Sequence, residues 1–502
     1  MLPRFDDSLA RSLDPDPARF DRIRRAPVRV LQIGTGNFLR AFSAWMFQKL
    51  NEAGAGEWAI AVAPATPGSS TVGRLRDSNG CYTVLNRGLV SGELVEIVDR
   101  ITCITQVVDP FSDWSAMARL AATPSLEVVV SNTTEAGIRY EAVRSPGEAR
   151  QVAASFPAIM AAALLARFEA GQPGLIFLPC ELIDANGTQL RDIILRHADD
   201  WGLSDAFKTW VRGQCVFCNT LVDRVVPGHP TSEIEAIEQK LGYRDPLLVC
   251  SSLDYSWVIE TPAAVRESIA ARLPFDRAGL NVIFTDDVTP YRIRKVRILN
   301  GAHTVMTPVG FLAGLNTVLE CMQDSAVSRF VEDTIVEEII PTLDRPADEL
   351  QAYAAETLNR FRNPTIQHRL LSIALNSTSK WAVRVLPSLQ TYVERRGALP
   401  PRLAFSLAAL ICFYRVTPEN GQARGNRNGE PYEFTDNPDA IDALSRAWSE
   451  HGPGESLVRT VLGLTSLWEQ DLNSIPGLTA AVTRHVETIA RDGMRAALAK
   501  VA

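Results

Sequence analysis

Residues 28–42 read VRVLQIGTGNFLRAF, and this stretch decides the fold of the amino-terminal part of the chain. The apolar run VRVLQI predicts a buried strand, and Gly34 and Gly36 after it predict a tight turn into a helix. In dinucleotide-binding units the first glycine permits the turn, and the second lets the backbone approach a pyrophosphate. Leu39 stands where a third glycine is usual, so an ordinary strand–turn–helix connection is the alternative.

Two further apolar runs extend the predicted sheet. Residues 58–63, WAIAVA, predict the second strand, and no Asp, Glu or Arg follows it directly, so local residues do not decide between NAD and NADP. Residues 126–130, LEVVV, predict another parallel strand. The polar loop 131–137 after it lies where open α/β sheets bind ligands, although a solvated loop that caps a helix is the alternative.

The overall composition limits the class of protein. The chain has 502 residues, of which 46% are hydrophobic and 22% charged, and this indicates a globular protein with more than one domain. A net charge of −7 with dispersed basic residues argues against a nucleic-acid partner. We find no apolar run long enough to span a membrane and no secretory signal pattern, so we expect a cytoplasmic protein without a membrane partner.

The cysteines do not indicate a disulfide framework, because eight in 502 residues are too sparse. We expect free, buried thiols instead. Cys215 and Cys218 form a CxxC pair, a spacing found in zinc and redox sites, but no second Cys or His pair stands at ligand spacing. We therefore expect no metal, and a zinc enzyme is kept as an alternative.

The pattern of secondary structure changes near residue 285. Strands alternate with helices before that point, and long helical periodicities dominate beyond Thr289. We predict an α/β protein with a Rossmann-type, doubly wound sheet domain over residues 1–287 and a mostly α-helical domain over residues 288–502. The polar residues 417–437 are predicted to form a loop on the second domain.

The segment 289–306, TPYRIRKVRILNGAHTVM, brings Lys295, Asn300 and His303 together. On an α-helix, His303 lies about 80° and Asn300 about 140° from Lys295, so the three share one broad face. Apolar neighbours disfavour the charged form of a lysine, which suits a residue that exchanges a proton. Asn and neutral His can donate hydrogen bonds to an oxygen on which charge develops. The structural alternative is a snorkelling Lys, a capping Asn and a core His.

Motifs along nearly the whole chain resemble those of the long-chain polyol-specific dehydrogenases, the mannitol dehydrogenase family. In order, the motifs are IGTGNFLRAF, SNTTEAGI, PCELIDANG, TLVDR, KVRILNGAHT, RFRNP, LLSIALN, LAALICFYR and WEQDLNSIPGL. The resemblance implies a Rossmann-type domain, a helical domain, and a cleft where NAD(H) and an open-chain sugar meet without metal. It also implies that family members vary in oligomeric state, so monomer and dimer are both open.

The resemblance also implies roles for individual residues. Lys295 matches the general acid/base, and Asn300 and His303 match the groups that hold and polarise the reacting oxygen. Glu135 lies in a motif associated with a proton path. The candidate cofactor-binding residues are Ile33, Gly34, Gly36, Asn37, Phe38, Thr66, Asn132, Thr133 and Glu135. The candidate substrate-binding residues are Asn186, Asp223, Arg360, His368 and Lys380.

One departure from the family bears on the substrate. The mannitol enzymes have an Arg in the helix before the late lysine, and Ser372 stands at the matching position here. This departure fits a uronate, a small sugar acid whose carboxylate binds elsewhere, and a sibling specificity for another uronate or an uncharged polyol is the alternative. The candidate carboxylate partners are Arg360, Arg362, His368 and Arg384. A nucleotide-binding regulatory protein without turnover is the alternative from another class.

Overall fold

The structure is a computed structural model that describes residues 2–133, 137–149, 155–419, 422–427 and 429–501. It divides into two compact units, Met1–Val288 and Thr289–Ala502. The predicted boundary between residues 287 and 288 lies one residue before this division. Within the described ranges, no helix is both long enough and apolar enough to cross a membrane.

The first unit contains strands and helices in alternation. Its described strands are β1 (Val28–Ile33), β2 (Ala59–Ala63), β3 (Tyr82–Val90), β4 (Glu93–Ile101), β5 (Ile104–Val107), β6 (Val128–Ser131), β7 (Ile176–Pro179), β8 (Val216–Phe217), β9 (Asn219–Arg224), β10 (Val249–Ser252), β11 (Tyr255–Glu260) and β12 (Val282–Thr285). Its described helices are α1 (Asp7–Leu13), α2 (Pro17–Arg25), α3 (Asn37–Ala41), α4 (Ser43–Glu52), α5 (Ser70–Asp77), α6 (Trp114–Ala121), α7 (Pro146–Ala149), α8 (Phe156–Glu169), α9 (Asn186–Asp200), α10 (Asp205–Gln214), α11 (Ile234–Leu241) and α12 (Ala263–Arg272).

The main sheet of the first unit has six parallel strands in the order β5-β2-β1-β6-β7-β8. From β1 the chain extends the sheet through β2 on one side and returns to add β6 on the other. The strand order therefore reverses between β1 and β6, and such a switch point is where open α/β sheets bind ligands. Two smaller three-stranded sheets, β10-β3-β4 and β12-β11-β9, complete the unit.

Both faces of the main sheet are covered by apolar side chains. Along β1, Val30 belongs to one hydrophobic cluster, and Leu31 and Ile33 belong to the other. Strand β2 alternates in the same way, with Ile60 in the first cluster and Ala61 in the second. Because successive side chains of a strand point to opposite faces, a strand buried on both faces reads as a continuous apolar run.

The second unit is mostly helical. Its described helices are α13 (Thr289–Arg294), α14 (Gly301–Leu312), α15 (Val318–Gln323), α16 (Ser325–Asp333), α17 (Ala347–Phe361), α18 (Leu370–Ile373), α19 (Ser377–Arg384), α20 (Leu386–Arg396), α21 (Pro401–Phe413), α22 (Pro438–His451), α23 (Glu455–Leu462), α24 (Thr465–Trp468), α25 (Leu478–Asp492) and α26 (Met494–Leu498). Two further segments, Lys295–Asn300 and Thr334–Ile339, are π-helical. The prediction of a Rossmann-type sheet followed by a mostly helical domain is confirmed.

The prediction of a loop over residues 417–437 is wrong. The segment contains an antiparallel sheet of β13 (Val416–Glu419), β14 (Gln422–Arg427) and β15 (Glu430–Phe434). Few inward side chains hold this sheet, among them the buried Tyr432 and Phe434. The opposite face is exposed and polar, so the usual apolar alternation of a strand is too weak to see in the sequence.

Candidate active site

The turn after β1 needs glycine at its first position. Gly34 has φ +123°, and a Cβ there would lie 2.8 Å from the carbonyl oxygen of Asn132. The Asn132 backbone N–H donates to the Ile33 carbonyl (3.1 Å), which fixes the ends of β1 and β6 side by side. Any side chain at residue 34 would therefore push the two strand ends apart.

The second glycine of the turn, Gly36, has different surroundings. Its φ is −66°, and a Cβ built on it meets nothing within 4 Å. Helix α3 begins at the next residue without a side-chain cap. Gly36 therefore leaves open space beside the start of α3, at the switch point of the sheet. This space fits the pyrophosphate of a dinucleotide.

Arg40 holds the glycine turn in place through hydrogen bonds and is buried, with an exposed fraction of 5%. Its guanidinium donates to the Thr35 carbonyl (3.2 Å), to the side-chain oxygen of Asn37 (2.6 Å) and to the Leu247 carbonyl. Phe38 stacks on Phe42 at 5.0 Å. The glycine turn is therefore held by charge-assisted hydrogen bonds from a residue that the motif contains but that we did not single out.

The segment that Arg40 contacts is fixed by a buried carboxylate, Asp245. This carboxylate accepts hydrogen bonds from the backbone N–H groups of Thr83 (2.6 Å) and Leu247 (2.8 Å). Burial raises the pKa of Asp245 to about 6. The folded protein therefore holds this proton more tightly than the unfolded chain does.

The raised pKa of Asp245 gives a pH dependence of stability. Its contribution is complete below the unfolded pKa and is lost as pH rises through about 6. From about pH 4.5 to about pH 7 we expect the wild type to lose about 2 kcal/mol of unfolding free energy relative to Asp245→Asn, which cannot titrate. Urea unfolding at several pH values measures this difference. A constant difference would contradict it, and the exposed Asp276→Asn is the matched control.

The loop after β6 is organised by Glu181, which the sequence interpretation missed. Its carboxylate accepts the backbone N–H and the hydroxyl of Thr133, both at 3.0 Å, and the hydroxyl of Ser131 at 3.1 Å. Glu181 is 2% exposed, and burial raises its pKa. The amide of Asn132 donates to the Cys180 carbonyl (2.8 Å). The signal was the PCELIDANG motif, which follows β7 at the same edge of the sheet.

Thr66 and Glu135 are the remaining predicted cofactor-binding residues. Thr66 is exposed in the loop after β2, and the hydroxyls of Thr35 and Ser69 at 3.0 Å tie that loop to the glycine turn. Glu135 lies outside the described residues.

Asn186 has a different environment from the one predicted for a substrate-binding residue. It is 1% exposed, its amide nitrogen donates to the carbonyls of Pro179, Glu181 and Thr220, and its oxygen accepts the N–H of Gly187 and of Thr220. Its hydrogen-bonding groups are therefore used within the fold, and its contact with the substrate stays a prediction. Asp223, 8% exposed, lies on β9 opposite Ser256 of β11.

In the second unit, Lys295 and Asn300 open and close a π-helical segment. The α-helical geometry predicted for this stretch is wrong there. In a π-helix the residue five positions on lies one turn above, so Asn300 follows Lys295 on the same side. His303 comes three residues later on α14, which also places it next to Asn300. The extra residue in the π-helical turn therefore places Lys295, Asn300 and His303 closer to one line along the helix than the predicted α-helical geometry does.

The His303 ring lies in an aromatic setting. It stacks on Phe361 with ring centroids 4.2 Å apart, and it meets the His368 ring edge-on at 5.0 Å. Burial and the charge of Lys380 lower the pKa of His368. The Thr307 hydroxyl donates to the His303 carbonyl at 2.7 Å, which anchors this turn of α14. His303 and His368, far apart in sequence, are therefore neighbours.

Lys380 lies on α19, and its ammonium donates to the Ile373 carbonyl at 2.9 Å. Burial and the charge of Arg384 lower its pKa. Arg360 is 6% exposed and forms an ion pair with Glu356. Its guanidinium is thus buried and already holds a carboxylate, and its contact with the substrate stays a prediction.

The thiols and carboxylates do not form a metal centre in the part of the chain that the structure describes, where no group of three or more His, Cys, Asp or Glu side chains is arranged for one. Cys215 and Cys218 are buried free thiols. Burial raises the pKa of each to about 12, so both are in the protonated form at neutral pH.

Family models match both units of the chain. The mannitol dehydrogenase Rossmann domain matches residues 28–272, and the mannitol dehydrogenase C-terminal domain matches residues 287–490. Among solved structures, a Pseudomonas fluorescens mannitol 2-dehydrogenase in ternary complex with NAD and D-mannitol is 22% identical, with a TM-score of 0.68 over 95% of each chain. A D-sorbitol dehydrogenase in substrate-free form is 21% identical, with a TM-score of 0.80 over 99% of this chain and 100% of the other. These two structures support the fold.

Curated relatives are more similar in sequence. An altronate oxidoreductase of Klebsiella pneumoniae is 42% identical over 482 residues, which are 94% of this chain and 96% of the relative. An altronate oxidoreductase of Pectobacterium carotovorum is 43% identical over 491 residues, 95% of this chain and 97% of the relative. The chain therefore belongs to the mannitol dehydrogenase family of oxidoreductases.

Proposed function

We propose that the protein interconverts D-tagaturonate and D-altronate with NAD(H) and without a metal. The observation that carries this proposal is the 42% identity to an altronate oxidoreductase over 94% of the chain. The identity spans the glycine turn in the first unit and the segment of Lys295, Asn300 and His303 in the second.

The proposed cofactor site is the carboxyl edge of the main sheet. Gly34, Gly36 and the start of α3 would hold the pyrophosphate, and the loop that Glu181 fixes would line the same edge. The open space beside Gly36 supports this assignment, because a Cβ there would take the room that the phosphates need. When bound, NADH supplies the hydride for reduction and NAD accepts it for oxidation.

The proposed proton chemistry belongs to the second unit. In reduction, protonated Lys295 gives its proton to the ketone oxygen of tagaturonate as that oxygen becomes the alcohol of altronate. Asn300 and His303 donate hydrogen bonds to the same oxygen and stabilise the charge that develops on it. In oxidation, neutral Lys295 takes the proton back. Reduction consumes one proton, so low pH favours it and high pH favours oxidation.

Initial rates of NADH and NADPH consumption on tagaturonate, fructuronate and fructose test the proposal. We expect rapid oxidation of NADH on tagaturonate and a much slower reaction with NADPH. Preference for fructuronate would instead indicate a fructuronate reductase, and preference for fructose would indicate a mannitol-type polyol dehydrogenase. Binding of NADH without consumption on any of the three substrates would indicate a nucleotide-binding protein that does not turn over. We expect the rates to be unchanged in EDTA, and a loss of activity in EDTA would overturn the metal-independent mechanism.

A further inference from the structure

The carboxylate of a sugar acid needs a cationic partner. Many arginines of the second unit already form an ion pair with a carboxylate of the protein. Each of the following forms an ion pair with a glutamate or aspartate: Arg294, Arg345, Arg360, Arg362, Arg395 and Arg402. A guanidinium that neutralises a protein carboxylate has less to offer a ligand, because binding would have to break the existing pair.

Arg297 has no carboxylate within ion-pair distance among the described residues, but its guanidinium already donates to the Val383 carbonyl. For Arg384, too, none of the carboxylates that the structure describes lies within ion-pair distance. It lies one turn after Lys380 on the same face of α19. Burial and the charge of Arg384 lower the pKa of Lys380. The charge of Asp436 opposes this shift of Lys380, but the Asp436 carboxylate already accepts hydrogen bonds from the Thr378 N–H and hydroxyl and from Tyr414. Two cations thus stand together without a carboxylate between them.

Helix α19 packs directly against the predicted proton-transfer segment. A Cβ on Gly301 would lie 3.5 Å from the Arg384 carbonyl oxygen, and Gly301 stands between Asn300 and His303 in sequence. The Arg297 guanidinium donates to the carbonyl of Val383, which joins α19 to the π-helical segment. The end of α19 is therefore fixed beside the turn that carries Asn300.

Positive charge also extends from α19 towards His303. Burial and the charge of Lys380 lower the pKa of His368, and the His368 ring contacts the His303 ring. With its pKa lowered, His368 is neutral at neutral pH and can offer a carboxylate one hydrogen bond but no charge. Arg384 offers a fixed charge and a fork that matches a carboxylate.

We propose that Arg384, assisted by Lys380, binds the carboxylate of the sugar acid and so determines the preference for uronates over uncharged ketoses. This inference rests on the proposed function, and it assigns the partner that the sequence leaves open among Arg360, Arg362, His368 and Arg384. Ser372, exposed on α18, supplies no charge at the position where the mannitol enzymes carry an Arg.

The test is Arg384→Gln in the full-length protein. Loss of a charge-assisted hydrogen-bond pair should raise KM for tagaturonate by roughly 10- to 150-fold, leave KM for NADH within about twofold, and leave the rate on D-tagatose, which lacks the carboxylate, nearly unchanged. Arg384→Lys, which keeps the charge without the fork, should recover part of the loss. Calorimetric titration with D-altronate in the presence of NADH, a pair that cannot exchange a hydride, gives a binding readout that does not depend on turnover.

Two controls keep the outcomes distinct. Arg395→Gln removes an arginine that is paired with Asp344 and should behave as wild type. Thermal unfolding of each variant checks that α19 is intact. If the wild type reduces tagaturonate and Arg384→Gln keeps its KM and its preference over D-tagatose, the inference fails and the proposed function stands. If Arg362→Gln shows the loss instead, that arginine is the partner and Arg384 is not. If the wild type acts on no uronate, the proposed function itself fails.

Discussion

Replacing Lys295 with alanine is expected to lower kcat by roughly two to four decades, the usual contribution of a positioned acid or base. The loss should appear in both directions, because Lys295 gives the proton as an ammonium in reduction and takes it back as a neutral amine in oxidation. NADH binding, followed by quenching of tryptophan fluorescence, should stay within about twofold, since the proposed nucleotide site is built from the first unit. Small primary amines added to the assay should restore part of the rate.

Lys240→Ala is the matched control for this variant, because Lys240 is an exposed lysine that forms an ion pair with Glu96. Lys295→Met keeps the length of the side chain without the amine and guards against a packing defect at the π-helical turn. A loss of less than tenfold in both Lys295 variants, with unchanged thermal unfolding, would remove Lys295 from the proton-transfer role. Asn300 and His303 would then need a different partner.

Alanine at each of the two turn glycines should have opposite consequences. Gly34→Ala should destabilise the fold, because φ +123° costs a residue with a side chain about 1–3 kcal/mol and its Cβ would contact the Asn132 carbonyl at 2.8 Å. Gly36→Ala should fold normally, since its φ is −66° and the space around its Cβ is open. If that space receives the pyrophosphate, Gly36→Ala should raise Kd for NADH roughly tenfold or more.

Thermal unfolding and NADH titration on the same two preparations separate these effects. The expected pattern is a lower Tm for Gly34→Ala and an unchanged Tm with weak NADH binding for Gly36→Ala. The exposed Gly213, near the end of α10 and with nothing within 4 Å of a Cβ built on it, is the control for Gly36: Gly213→Ala should not weaken NADH binding. Normal NADH affinity in Gly36→Ala would place the phosphates elsewhere.

The fold could be predicted from sequence because the signals are local and strong. Four of the six residues of VRVLQI are apolar because β1 is buried on both faces, and two glycines follow at the sheet's switch point. The sheet over residues 416–434 could not be predicted, because few of its side chains face the core and the exposed residues are polar. Periodicity reports burial, so an element with little burial leaves little trace.

The candidate site was only partly predictable for a similar reason. Residue types select Lys295, Asn300 and His303, but nothing in the sequence marks the π-helical turn that sets their spacing, because a π-turn differs from an α-turn by one residue and no distinct composition. Asn186 is predicted as a substrate contact because it is a polar residue in a motif, and the sequence does not show that its amide donates to three backbone carbonyls. Glu356, the partner of Arg360, lies four residues away on the same helix, so this pair can be expected from the sequence. The contact of His303 with His368 cannot, because only the fold brings these two residues together.

Division of the chain into two compact units has an evolutionary consequence. The residues assigned here to the nucleotide all precede residue 288, and those assigned to the proton and the carboxylate all follow it. On these assignments, changes in α18 and α19 would alter which sugar is accepted while the coenzyme stays the same. Exchange of residues 370–384 between family members would thus be a short route to new substrate preferences. Gene duplication followed by substitutions in this stretch would produce enzymes that share one coenzyme but do not compete for each other's substrates.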